Sequence, residues 1–243
     1  MIKAVIFDYM GTIVNCVGYS MEVSKMKLYT SLINEGFKVV VEDFLDAYGR
    51  AHEKYRVVRY GELREVTNAV WVVEALNDLG YKVDLEDGRI KAALNVFFND
   101  FIDSLRLRMG AVELFEQAVA QGKVGLLSNF TYAPVVYFSL NRLGVRRYFD
   151  TIVVSEEQGW RKPSLHIFRD ILERMQVKAE ETLFIGDSPL EDIKGAKEAG
   201  LRTVFVKSQF YSLEDLTTCN IAADFTVQNL QEISKIFSQI ISS

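Results

Sequence analysis

Apolar and polar positions along the chain fall into two textures. An apolar run from Ile2 to Phe7 ends on Asp8 and is followed by Tyr9-Met10-Gly11-Thr12. This pattern predicts a buried parallel strand that delivers a carboxylate to the carboxyl edge of a sheet, where open α/β sheets bind ligands. The plainer reading is that Asp8 caps the next segment. From about Ser20 to Leu105 the apolar residues recur every three or four positions and predict helices. Met21, Met26, Leu28, Tyr29, Leu32 and Ile33 make one stripe, stopped at Gly36. Phe44, Leu45, Tyr48, His52 and Tyr55 make a second, and Val66, Val70, Val73, Leu76 and Leu79 a third, stopped at Gly80. Ile90, Leu94, Phe97, Phe98, Phe101, Ile102 and Leu105 make a fourth. These Met and aromatic stripes read as a helical bundle core rather than a cofactor box, with His52 as a core histidine.

From Met109 onward the texture changes. Short β-type runs at 124–127, 151–154, 182–185 and 203–206 alternate with helical patterns at 112–120, 135–143, 165–175 and 190–199. A last helix runs through Leu230, Ile233, Phe237 and Ile240. Such alternation predicts crossover connections and a mainly parallel sheet. Residues 1–14 and 106–243 are therefore expected to form one Rossmann-like α/β core. Residues 15–105 are expected to form an α-helical cap inserted after its first strand, over the carboxyl edge.

Composition narrows the partners. The chain has 243 residues, 49% of them hydrophobic, and a net charge of -5. There is no basic footprint for nucleic acid, and no apolar stretch reaches the roughly 18–20 residues that span a bilayer. Asp8 interrupts the first apolar run, so it reads as a strand and not a signal peptide. Cys16 and Cys219 form no disulfide framework and no CxxC site, which makes a reducing cytoplasm the expected compartment. Two histidines, His52 and His166, argue against zinc. Nothing in the pattern fixes an oligomeric state.

The polar residues after the strands carry the chemistry. Asp8 follows the first run, Ser128-Asn129 the second, Arg161-Lys162-Pro163 comes soon after the third, and Gly186-Asp187 with Asp192 follows the fourth. Parallel strands bring these ends to one crevice. Two acids suit a hard divalent cation, and a hydroxyl with an ammonium suits an anion. The contrary reading is four unrelated loop polars. His166 reads as structural, and Trp71 and Trp160 carry no catalytic message.

The ordered set Asp8-x-x-Gly11-Thr12, Ser128-Asn129, Lys162-Pro163 and Gly186-Asp187-x-x-x-x-Asp192, with its helical insertion, resembles the four motifs of the haloacid dehalogenase superfamily of hydrolases. The likeness covers essentially the whole chain. It implies Asp8 as a nucleophile that forms a covalent aspartyl intermediate. It also implies Mg²⁺ held by Asp8, the Met10 backbone carbonyl and Asp187, with Asp192 binding directly or through water. Gly11, Thr12, Ser128, Asn129 and Lys162 would bind the phosphoryl group of a small phosphorylated substrate.

One position departs from the pattern. Phosphatases of the family carry a second Asp two residues after the nucleophile, and here that residue is Met10. A general acid–base group contributes about 10²–10⁴-fold, roughly 3–5 kcal/mol of transition-state stabilisation. Three resolutions are open. A metal-independent L-2-haloacid dehalogenase needs no such acid, but it resembles this chain less at Asp187 and carries a Tyr where Phe168 stands. A phosphonate hydrolase would need a cap lysine from among Lys25, Lys27, Lys54, Lys82 and Lys91. A slow phosphatase could act on acyl or aryl phosphates. Two converging acids repel without a cation, so Asp187 favours metal-dependent phosphoryl chemistry. The rival expectations are the dehalogenase and a catalytically silent small-molecule binding protein. Within the cap, Arg50, Arg56 and Arg59 are candidate anion clamps, and Asn15 lies near the hinge.

Overall fold

The apolar run that opens the chain forms the middle of a six-stranded sheet. In the computed structural model, which describes residues 1–242, the chain divides into two compact units. One comprises Met1–Asn15 and Arg106–Ser243, and the other comprises Cys16–Leu105.

In chain order the elements begin with β1 (Ala4–Phe7) and β2 (Val14–Cys16), followed by α1 (Met21–Asn34), α2 (Val41–Gly61), α3 (Asn68–Asp78) and α4 (Gly88–Ser104). Next come β3 (Leu105–Leu107), α5 (Ala111–Gln121), β4 (Lys123–Ser128), α6 (Ala133–Arg142), β5 (Thr151–Val154), α7 (Ser155–Gln158) and α8 (Leu165–Met175). The chain closes with β6 (Thr182–Gly186), α9 (Gly195–Glu198), β7 (Arg202–Val206), α10 (Leu213–Thr218), β8 (Phe225–Val227) and α11 (Leu230–Ser242).

The large sheet has the order β5-β4-β1-β6-β7-β8, and its pairings are parallel. All four residues of β1 are buried, as expected of a strand covered on both faces, where apolar residues run on without alternating. One face meets α8, whose Ile167, Phe168, Ile171 and Met175 pack with Ala4, Ile6, Leu127 and Phe184. On the other face Phe115 of α5 meets Phe7 edge-on at 5.2 Å. Phe7 aligns with Leu126 of β4 and Ile185 of β6, so the residues just beyond these strands reach the same edge together. β2 and β3 pair as a separate two-stranded sheet.

Several elements of this unit differ from the sequence expectation. The segment expected to be helical over 190–199 is a π-helix over Pro189–Lys194, and α-helix resumes only in α9. The backbone N–H groups of Asp192 and Ile193 both donate to Ser188 O, each at 3.1 Å. Asp192 meanwhile turns its side chain back onto the preceding loop, where its Oδ2 accepts the N–H groups of Asp187 and Ser188. The short β8 and α10 carry too few apolar residues to show as periodic signals.

The second unit is helical. The N-caps of α1, α3 and α4 are Ser20, Thr67 and Asp87, each accepting a backbone N–H of the first turn. Leu28, Leu32, Phe44, Tyr48, Ile90, Leu94, Phe97 and Phe98 are buried. The buried face of α3 is Asn68, Trp71, Val72, Ala75 and Leu76, rotated from the Val66-Val70-Val73 stripe. Of the expected stripe only Leu76 is buried, with Trp71, Val72 and Ala75 taking the inward positions expected of Val70 and Val73. Met21 and Met26 are 44% and 43% exposed. Instead of filling the core they line a cavity of about 390 Å³ with Leu45, Tyr48 and His52. Among the described residues no helix is long and apolar enough to cross a membrane.

Several cap cations considered for chemistry are paired within this unit. Lys27 meets Asp100 at 2.6 Å, Lys54 meets Glu74 at 2.9 Å and Lys91 meets Glu86 at 2.6 Å. Arg56 pairs with Glu53 at 2.7 Å and Arg59 with Glu65 at 2.6 Å. A Schiff-base lysine needs a depressed pKa, yet the carboxylate of Glu74 raises that of Lys54.

Candidate active site

Asp8 lies one residue beyond β1, and its N–H still donates to Ile185 O at 2.9 Å. The sheet's hydrogen bonding thus extends to the residue that carries the carboxylate. Lys162 is buried and reaches the same point. Its Nζ lies 2.6 Å from Asp8 Oδ1, 2.7 Å from Asp192 Oδ1 and 2.9 Å from Leu127 O. Asp187 follows β6, and its Oδ1 accepts from Thr12 Oγ1 at 3.3 Å. Asp192 Oδ2 accepts the N–H groups of Asp187 and Ser188 at 3.0 and 2.9 Å. Carboxylate oxygens of Asp8, Asp187 and Asp192 lie within 4.8 Å of one another. Asp8 Oδ2 and Asp187 Oδ2 are buried with no hydrogen-bond partner. Ser128 closes β4 and is buried at the same edge.

Three residues expected among the phosphate contacts have other work in this structure. The N–H of Gly11 donates to Val14 O at 2.8 Å and so closes the loop instead of facing an anion. Gly11 has φ +89°, and a β-carbon there would overlap Asp187 Oδ2; glycine is needed for both reasons. The Thr12 hydroxyl is engaged with Asp187. The Asn129 carboxamide accepts from Lys162 N at 2.8 Å and donates to Lys162 O at 3.0 Å and Glu191 Oε2 at 2.9 Å. It braces the lysine loop rather than pointing to a guest. Glu191 in turn accepts from Arg161 Nη2 at 2.7 Å.

Sequence reasoning missed Arg108. Its Nη1 donates to Gly11 O and to Thr12 O, the latter at 3.2 Å, and its Nη2 donates to Lys207 O at 2.7 Å. The partners are backbone carbonyls remote in sequence, which leave no residue-type signature. His166 stacks on Trp160 at 4.3 Å, in keeping with a structural role.

Three carboxylates against one ammonium leave uncompensated negative charge when all are ionised. Burial first, and then Asp8 and Asp192, push Asp187 up to about 8. Burial also raises Asp192, with Lys162 opposing it. Burial would lower Lys162, but Asp192 and Asp8 more than offset that and hold it above its ordinary range. The donor set is all oxygen, and two of those oxygens are orphaned, so these residues fit a hard divalent cation.

A pH dependence follows from the raised carboxyls. Without a cation the folded protein retains protons that the unfolded chain gives up at lower pH. The contribution of these carboxyls to stability is therefore fully present below the usual carboxylate range and is lost as pH rises toward about 8. Urea unfolding in chelator at pH 5, 6, 7 and 8 is expected to show that decline. Excess Mg²⁺ should remove most of it, because a cation must displace the protons.

Comparisons with known proteins bear on this site. The family model of the haloacid dehalogenase-like hydrolases matches residues 2–200. A glyceraldehyde 3-phosphate phosphatase of Methanocaldococcus jannaschii is 28% identical over 99% of each chain. A ribulose-1,5-bisphosphate 5-phosphatase of Halopiger xanaduensis is 28% identical over 59% of this chain and 62% of its own. Among solved structures, a 2-haloacid dehalogenase of Pseudomonas syringae pv. Tomato shares the fold with a TM-score of 0.66 at 22% identity, covering 98% of this chain and 99% of the other.

Proposed function

The chain belongs to the haloacid dehalogenase-like hydrolases, and on that footing we propose that it is a Mg²⁺-dependent phosphohydrolase of small phosphorylated compounds. The observation that carries this reading is the buried trio Asp8, Asp187 and Asp192 with two orphaned oxygens beside Lys162. A metal-independent dehalogenase has no use for the acid at Asp187, which without a cation only repels Asp8. The phosphatase names of two relatives support the same choice.

In this reading Asp8 attacks phosphorus and the bond to the leaving oxygen breaks. Water then attacks the phosphorus of the aspartyl-phosphate, releasing phosphate and restoring the Asp8 carboxylate. Lys162 holds Asp8 Oδ1 in place, and with Ser128 it steadies charge on the phosphoryl oxygens. Asp8, Asp187 and the Met10 carbonyl would hold Mg²⁺, which when bound neutralises the acids against an incoming anionic phosphate. Both oxygens of Asp192 already face Lys162 and the Asp187–Ser188 amides, which suits it to orienting the pocket rather than binding directly.

The test compares phosphate release from acetyl phosphate with chloride release from 2-chloropropionate, each with Mg²⁺ and with chelator. Phosphate release is expected to fall about 10³-fold on chelation, with no chloride released. Chloride release that survives chelator would overturn the proposal.

A further inference from the structure

The loop after β7 brings two aromatic rings to the acidic pocket. Ser208 Oγ accepts the N–H groups of Phe210 and Tyr211 at 2.9 and 3.0 Å. Ser208 N donates back to Tyr211 O at 2.9 Å, closing the turn. The base of the turn is tied to the Asp8 loop, because Arg108 bonds Lys207 O as well as Gly11 O and Thr12 O. The rings are therefore held in register with the pocket.

Phe210 is 50% exposed and Tyr211 37%. The Phe210 ring edge, at Cδ2, lies 3.0 Å from the point a β-carbon on Gly11 would occupy, on the face that Gly11 turns toward Asp187. The Tyr211 hydroxyl feels the side chain of Ser188, the residue after Asp187, and the charges of Glu191, Asp187 and Asp192. A hydrogen-bonded turn that leaves two large rings half-exposed beside Gly11 and Ser188 provides an apolar, planar surface next to the acidic trio. Binding sites commonly pair such a surface with a few convergent polar groups.

A separate observation concerns the leaving group. Met10 stands next to Gly11, and its thioether offers no proton. With a thioether at the position where the family's phosphatases carry their proton donor, the leaving oxygen departs as an anion, carrying the electron pair of the broken P–O bond. A phenol, with a pKa of about 10, gives a far better anion than an alkanol. From these two observations we infer that the site selects phosphate monoesters of planar, acidic hydroxyls, phenols or enols, with Phe210 and Tyr211 as specificity-determining residues. The inference rests on the phosphohydrolase reading and sharpens it. Asp8 forms the new P–O bond, the phenolate or enolate leaves unprotonated, and water later hydrolyses the aspartyl-phosphate. Glyceraldehyde 3-phosphate, named for several relatives, is an alkyl ester and serves as the contrary case.

The experiment measures kcat/KM of the full-length Mg²⁺-loaded protein on p-nitrophenyl phosphate, phenyl phosphate, acetyl phosphate and glyceraldehyde 3-phosphate. The aryl esters are expected to exceed glyceraldehyde 3-phosphate by at least about 10²-fold. Phe210→Ala and Tyr211→Ala are each expected to lower the ratio of p-nitrophenyl phosphate to acetyl phosphate about 2–10-fold. Acetyl phosphate has a good leaving group but no ring, and the ratio cancels any loss of folded protein. A ratio unchanged in both variants, or a preference for glyceraldehyde 3-phosphate, overturns the inference while leaving the phosphohydrolase reading intact. No phosphate release from any of the four overturns both.

Discussion

Asp8→Asn lowers phosphate release by about 10⁴–10⁶-fold, the scale seen when a covalent nucleophile is removed. The carboxamide keeps the shape of the side chain but cannot attack phosphorus. The substitution also removes one of the negative charges crowded around Lys162, which still has Asp192 at 2.7 Å. In chelator at pH 8 the variant should therefore be at least as stable as the wild type, while it binds Mg²⁺ more weakly. Loss of activity with unfolding held level separates a chemical role from a structural one. An Asp8→Asn protein that keeps more than about a hundredth of the activity would place the nucleophile elsewhere.

Lys162→Met has a different signature. The lysine is buried and its ammonium touches Asp8, Asp192 and Leu127 O. Methionine fills similar volume and removes the cation that these ion pairs bring to the trio. Deleting one partner of a buried charge pair costs about 3–5 kcal/mol, because the remaining charge is left uncompensated. Urea unfolding in chelator should show a loss of that size near pH 8. The loss should shrink with Mg²⁺, which can take over part of the neutralisation, and at lower pH, where Asp187 and Asp192 hold protons. Turnover should fall about 10²–10³-fold even with Mg²⁺ present. A stability loss below about 1 kcal/mol in chelator would mean that the acids are less crowded than their separations imply.

How much of this is legible in the sequence depends on what each residue faces. β1 is plain because a strand buried on both faces is apolar without interruption, and the polar residue that ends it must sit at the sheet edge. The same logic locates Lys162, Asp187 and Asp192, each of which lies beyond an apolar run. A motif fixes position along the chain but not the direction of a polar atom. Gly11, Thr12 and Asn129 read as contacts for a guest, whereas the structure turns the Gly11 amide, the Thr12 hydroxyl and the Asn129 carboxamide toward the frame. Arg108 leaves no trace because backbone carbonyls have no residue identity. Phe210 and Tyr211 belong to no motif and no periodic stripe, and only the turn at Ser208 places them beside Gly11 and Ser188. In α3, two overlapping apolar phases compete, and only packing shows that the Trp71 phase turns inward.

The central claim is that the Asp8 and Asp187 carboxylates, with Asp192 orienting the pocket, are kept together for a divalent cation. Calorimetric titration of Mg²⁺ into chelator-treated protein at pH 8 tests it without reference to any substrate. The account predicts one ion per chain, binding that weakens as pH falls through the raised Asp187 range, and its loss in Asp187→Asn. Heat of dilution alone in the wild type, or equal binding by the folded Asp187→Asn protein, would contradict it.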